Sequence, residues 1–141
     1  MPARARRHLL GSRVEGVERQ LFLEPLPDLI NRLSRVRRLE SAWRLIEEHY
    51  TDPDLGLERA ARKSGASKNH LNVLFRQETG FTFHQLLTRY RVLQAIEMMK
   101  IKNCSILDLA LDNGFGSLSA FQRSFRRLIG NPPRYFRSKI N

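Results

Sequence analysis

SGASKNHLNVLFRQETG, residues 64–80, is the stretch on which the reading of this chain turns. Gly65 and Ala66 interrupt a helical pattern. Ser67 then stands where a helix N-cap belongs, its hydroxyl placed to accept from an N–H of the first turn. From Ser67 onward Leu71, Leu74 and Phe75 return at helical spacing, and Gly80 stops the helix. Upstream, Leu57 to Ser64 reads as a short helix with Leu57, Ala60 and Ala61 inward. The unit is therefore helix, glycine turn, helix.

The same unit recurs about fifty residues later. Ala61, Gly65, Ser67, Leu71, Phe75 and Gly80 correspond to Ala110, Gly114, Ser117, Phe121, Phe125 and Gly130. The offset is fifty from the serine onward and forty-nine before it, so the second turn, Gly114 to Gly116, carries one inserted residue. In this second copy Ser105 caps Ile106 to Asn113, with Asp108 at the capping-box position, and Ser117 opens a helix ending near Ile129. Between the copies Thr82 caps a longer helix, about 83–99, with Phe83, Leu86, Leu87, Tyr90, Leu93, Ile96 and Met99 on its apolar side. Seventeen residues at about 1.5 Å each make a rod of about 25 Å. Asn131 and Pro132 introduce a last helix over about 133–139. Strand alternation is absent from the sequence, and the expected fold is all-α: two helix-turn-helix subdomains, about 57–79 and 106–129, joined by a connecting helix.

The N-terminal third is less patterned. Asp52, Pro53, Asp54 and Gly56 mark a loop. Before it, Leu29, Leu33, Val36, Trp43, Ile46 and Tyr50 follow helical spacing, either as one long helix or as two that break near Ser41. Asp28 is placed to cap that segment just after Pro27. Arg4, Arg6 and Arg7 form a basic tip, Leu21 to Leu23 are apolar, and Pro25 and Pro27 interrupt. The expected organisation is a 1–40 extension, acting as a connector or as the remnant of a sensor or dimerisation domain, followed by a 41–141 domain that holds both repeats.

Composition narrows the function. The chain has 141 residues, 41% of them hydrophobic, and a formal net charge of +11. That balance suits a folded domain with a polyanionic partner. The acid-free stretch from Asn113 to Asn141 holds Arg123, Arg126, Arg127, Arg134, Arg137 and Lys139, on and just after the second repeat. Cys104 is the only cysteine, so no disulfide forms within the chain and a reducing cytoplasm fits. Arg13 and Glu15 break the apolar run that a signal peptide needs, and no stretch reaches membrane-span length. His8, His49, His70 and His84 form no metal-ligand spacing with Cys104 or the acids, and no glycine loop cradles a phosphate. Neither an enzyme nor a bound cofactor or metal is expected.

A helix that reads DNA needs an apolar face that fixes it to its domain and a free polar face that meets base edges. The helix from Ser67 sets Leu71, Leu74 and Phe75 against Asn69, Asn72, Val73 and Arg76, with Lys68 at the rim. The helix from Ser117 sets Phe121, Phe125 and Leu128 against Ser119, Gln122, Arg123 and Arg126, with Leu118 at the rim. Asn and Gln pair with adenine through two bonds, Arg with guanine likewise, and valine touches the thymine methyl. The expected base-contacting residues are Lys68, Asn69, Asn72, Val73, Leu118, Ser119, Gln122 and Arg123. Arg76, Arg126 and Arg127, nearer the helix ends, are expected on phosphates. The apolar members repeat between copies and the outward members do not, so the expected site on double-stranded DNA is asymmetric. Successive major grooves lie about 34 Å apart, a distance within reach of the rod and its flanking turns, so a monomer suffices to hold two of them. An architectural protein with little sequence preference is the alternative.

GFGSLSAFQRSFRRLIGNPPRYFR, residues 114–137, and residues 64–80 resemble the AraC/XylS family of bacterial transcription regulators, and the resemblance runs from about Ser41 to Lys139. It implies about seven helices, promoter binding in the bacterial cytoplasm at the nucleoid, and activation through RNA polymerase. The family's base-contact positions fall on Asn69, Asn72, Val73, Leu118, Ser119 and Arg123. Asn69, Val73 and Ala120 depart from residues frequent in relatives, which bears on the operator sequence and not on the fold. Some forty residues are too few for the family's usual sugar-sensing barrel, so the chain is either a compact regulator or the C-terminal piece of a longer one. The resemblance assigns no effector.

Overall fold

The computed structural model describes residues 12–140, with side chains from residue 16 onward. The basic tip at Arg4, Arg6 and Arg7 lies outside the described residues. Among those described there are nine helices and no strand: α1 (Ser12–Phe22), α2 (Leu26–Leu33), α3 (Arg37–His49), α4 (Leu57–Ser64), α5 (Lys68–Thr79), α6 (Phe83–Ile101), α7 (Ile106–Asp112), α8 (Leu118–Ile129) and α9 (Pro133–Ile140). The seven helices that the family resemblance implies are α3 to α9.

Helix α6 is the axis of the molecule. Its nineteen residues span about 28 Å. A full capping box starts it: Thr82 accepts from the Gln85 N–H, and the Gln85 side chain accepts from the Thr82 N–H. The expected apolar stripe is buried, and so are Thr88, Arg91, Gln94 and Glu97 between its members. A helix buried nearly all round is a core element with neighbours on every side, and α1, α3, α5, α7, α8 and α9 all pack on it.

Two aromatic clusters flank this axis. Phe22, Trp43, Tyr90 and Tyr50 meet edge to face at centroid distances of 6.5, 5.4 and 5.2 Å. Phe115, Phe121, Phe125 and Phe136 form a second chain at 5.0, 5.6 and 5.6 Å. Quadrupole-matched contacts of this kind add about 0.5–1.5 kcal/mol per pair beyond the burial of the rings.

The N-terminal third differs from the sequence expectation in two details. The stripe over residues 28–50 breaks at Ser34 to Val36, not near Ser41, which lies inside α3. Helix α2 begins at Leu26 with Pro25 as its N-cap residue, so Asp28 sits in the first turn and does not cap. Proline needs no N–H there, so Pro25 and Pro27 start the helix instead of interrupting it. Leu21, Phe22, Leu26, Leu29, Ile30 and Leu33, from the segment read as an extension, are buried in the same apolar cluster as the rest of the chain.

Candidate nucleic-acid interface

The two helix-turn-helix units share the bonds of their turns and of both ends of their second helices. In each turn a glycine in the left-handed region ends the first helix: Gly65 at φ 70° and Gly114 at φ 88°. The Gly65 N–H donates to Arg62 O (3.4 Å) and the Ala66 N–H to Ala61 O (3.1 Å). Forty-nine residues later the Gly114 N–H donates to Leu111 O (3.3 Å) and the Phe115 N–H to Ala110 O (3.0 Å). These are the paired bonds that satisfy the last carbonyls of a helix. Ser67 then accepts from the His70 N–H and Ser117 from the Ala120 N–H, both at 3.1 Å. At the far ends the Gly80 and Gly130 N–H groups donate to Arg76 O and Arg126 O, both at 2.9 Å.

The inward faces are fixed alike. Leu71, Phe75, Phe121 and Phe125 have no exposed surface. Outward, Asn69, Val73 and Arg76 on α5 and Ser119, Gln122, Arg123, Arg126 and Arg127 on α8 are exposed. Val73 is an apolar side chain left 41% exposed amid polar neighbours. Lys68 is exposed and pairs with Glu58 of α4 at 3.3 Å. Leu118 is half-buried against the core. Among the described residues, Arg76, Arg123, Arg126 and Arg127 take part in no ion pair.

Asn72 and Gln122, at equivalent positions, are placed differently. The Asn72 Oδ1 accepts from the Phe83 N–H at 3.0 Å, satisfying an orphan donor at the start of α6. Its side chain is half-buried, and the oxygen that a two-bond adenine contact needs is engaged. Fifty residues on, Phe83 is replaced by Pro133, which has no N–H to satisfy. Gln122 is thereby relieved of that duty and stands exposed. The repeat thus extends through the start of the following helix, and the residue there decides which copy keeps a free amide.

Sequence reasoning missed a basic pocket of about 410 Å³ between α6 and α8, lined by His84, Gln85, Thr88, Arg89, Ser124 and Arg127. No carboxylate lines it. Arg89 lies over the Phe81 ring at 4.3 Å and donates to Gln85 O at 3.4 Å, so its guanidinium is held in place. Burial, then the charges of Arg91 and Arg127, hold the His84 imidazole below its ordinary value. The sequence signals were Arg127, already expected on a phosphate, and two basic residues near the start of α6. A larger cleft of about 460 Å³ between α3 and α4 sets Glu40 and Glu48 among its cations.

Arg137, part of the basic C-terminal run, is not free. It donates to Cys104 O and so ties α9 to the loop before α7. Cys104 itself is half-buried.

This arrangement of two capped, glycine-turned units on one axial helix is found in proteins of known kind. Residues 60–139 match the family model described as a helix-turn-helix domain. The chain is 34% identical over 99 residues to the regulatory protein SoxS of Escherichia coli K12, covering 70% of this chain and 90% of that one. The chain belongs to the AraC/XylS family of transcription regulators. Its fold matches the DNA-binding domain of AdpA, a global transcriptional factor solved in complex with a target DNA, with a TM-score of 0.67 and 28% identity over 73% of this chain and 91% of that one. An AraC-type regulator from Chromobacterium violaceum matches with the same TM-score, 26% identity and the same coverages. The protein is a sequence-specific DNA-binding regulator and not an enzyme. No helix among the described residues is long and apolar enough to cross a membrane.

Proposed function

We propose that this regulator binds as a monomer to an asymmetric promoter site, with α5 in one major groove and α8 in the next, and activates transcription through RNA polymerase in the bacterial cytoplasm, at the nucleoid. The observation that carries the reading is the set of turn and cap bonds that the two units share, combined with outward faces that differ. The same turn and cap bonds, kept despite one residue inserted in the second turn, hold both recognition helices by equivalent points. Asn69/Ser119, Asn72/Gln122 and Val73/Arg123 then present different groups to the bases.

In this reading α5 reads bases with Asn69 and Val73, with Lys68 and Asn72 at its margins. Helix α8 reads with Ser119, Gln122 and Arg123, with Leu118 at its rim. Arg76, Arg126 and Arg127 neutralise phosphates, and the pocket of His84, Arg89 and Arg127 takes a further phosphate of the strand passing between the grooves. Selecting bound sites from a random duplex pool tests the whole. Two unlike half-sites about one helical turn apart are expected. A palindrome, or affinity for the selected site no higher than for random duplex across a salt series, would sink the reading.

His84 gives a pH prediction. In the free protein its lowered pKa means the neutral imidazole is favoured by folding, so its contribution to stability is present above about pH 6.5 and is lost as pH falls. A phosphate in the pocket reverses the preference, because it favours the imidazolium. DNA affinity should therefore gain a component that rises as pH falls through about 6.5 and levels off below the lowered value of the free protein. In His84→Gln that component should vanish; an unchanged pH profile in the variant would remove His84 from the interface.

A further inference from the structure

Helices α1 and α2 lie outside the repeat, yet both repeats are bonded to them. The carboxylate of Glu18, 3% exposed, accepts from the Leu26 N–H at 2.8 Å and locks the two helices into one hairpin. Two side chains leave this hairpin for the carbonyl ends of the two recognition helices. Gln20 of α1 donates its Nε2 to Leu128 O at 3.1 Å and Ile129 O at 3.0 Å, at the end of α8. Arg32 of α2 donates to Glu78 O, at the end of α5, while its other Nη is held by Glu24.

Glu78 and Leu128 are fifty residues apart. They are the same position in the two copies, so the hairpin grasps both recognition helices at one equivalent point. The last carbonyls of a helix lack intrahelical partners and carry partial negative charge. An amide N–H and a guanidinium are the donors that such an end takes. The covalent link between the units is α6, which fixes their separation. The hairpin adds a connection at the far ends of α5 and α8 and so fixes how each is rotated about that rod.

We propose that the α1–α2 hairpin is a brace that sets the spacing between half-sites which this regulator accepts, with Gln20 and Arg32 as positioning residues that touch no DNA. The proposal rests on the two-groove reading above. One base pair more or less displaces the second groove by about 3.4 Å and rotates it by about 35°. A braced pair of helices cannot follow that change, whereas an unbraced pair swivels towards it.

The test compares affinity for the selected site with affinity for versions carrying one base pair inserted or deleted between the half-sites. The intact chain should lose at least about tenfold for each change. In the double variant Gln20→Ala, Arg32→Ala the loss should shrink to about threefold or less, with binding to duplexes carrying a single half-site unaltered. Arg32→Lys, which keeps a donor for Glu78 O, should restore part of the discrimination. Thermal melting checks that the double variant folds. If it does not, Gln20→Glu alone, which sets a carboxylate against the α8 carbonyls, should show the same relaxed spacing. A variant that folds and keeps the full penalty overturns the brace. An intact chain indifferent to spacing overturns the two-groove reading, and the brace with it.

Discussion

Gly114→Ala is expected to destabilise the fold by about 3–5 kcal/mol, whereas Gly65→Ala, at the equivalent turn, should cost only about 1 kcal/mol. Both glycines have left-handed φ, 88° and 70°, so a side chain at either meets the same modest conformational cost. Their surroundings differ. A Cβ on Gly65 meets nothing within 4 Å. A Cβ on Gly114 would lie 1.9 Å from the Tyr50 carbonyl oxygen and 2.7 Å from Arg91 Nε. That oxygen is already the acceptor for Arg91 Nε at 2.8 Å, and Asp52 O accepts from Arg91 Nη2 at 2.7 Å. To admit the methyl group, the loop at Tyr50 to Asp52 must move and leave a buried guanidinium short of its acceptors. The expected loss is a large share of the 5–15 kcal/mol typical of a domain. Urea denaturation of the two variants decides the matter: equal, small losses would show that the contact between the second turn and the Tyr50–Asp52 loop does not hold the units together.

That contact marks the boundary of what the sequence could reveal. The two helix-turn-helix units were legible because their signals are local. Ser67 and Ser117 cap within three residues, Gly65, Gly80, Gly114 and Gly130 end helices at their own positions, and Leu71, Phe75, Phe121 and Phe125 face inward by helical spacing. The break between α2 and α3 was not legible, because Leu33, Val36 and Leu39 carry the apolar stripe straight across it with neither Gly nor Pro to mark the turn. Nor were the polar residues whose partners are distant in sequence. Arg91 reaches back to Tyr50 and Asp52, Arg137 to Cys104, and Gln20 forward to Leu128 and Ile129. Each reads as an ordinary surface cation or amide until the fold brings a backbone carbonyl to it. Asn72 shows the same effect at the interface: spacing alone put it on the reading face, and only the start of α6 at Phe83 reveals that its oxygen is engaged.

Arg123→Ala should lose roughly 1–3 kcal/mol of affinity, confined to a single base pair of the second half-site, with folding stability essentially unchanged. Arg123 is exposed and in no ion pair among the described residues, so truncation removes no contact that the fold needs. It lies in the second turn of α8, near enough to the N-terminus for its fork to meet the N7 and O6 of a guanine. Its equivalent on α5 is Val73, also exposed, which has a methyl contact to offer and no hydrogen bond. The preference lost with Arg123 should therefore have no counterpart in the first half-site. Arg127 supplies the contrast. It borders the pocket shared with His84 and Arg89, toward the C-terminal end of α8. Its removal should weaken all sequences alike and lower the salt slope by about 1. Binding to the full set of single-base variants of the selected site, at two salt concentrations, separates the roles. An unaltered base preference in Arg123→Ala, or a loss at one base in Arg127→Ala, would exchange or remove the assignments. The same data show whether the asymmetry of the outward faces is what the DNA reads.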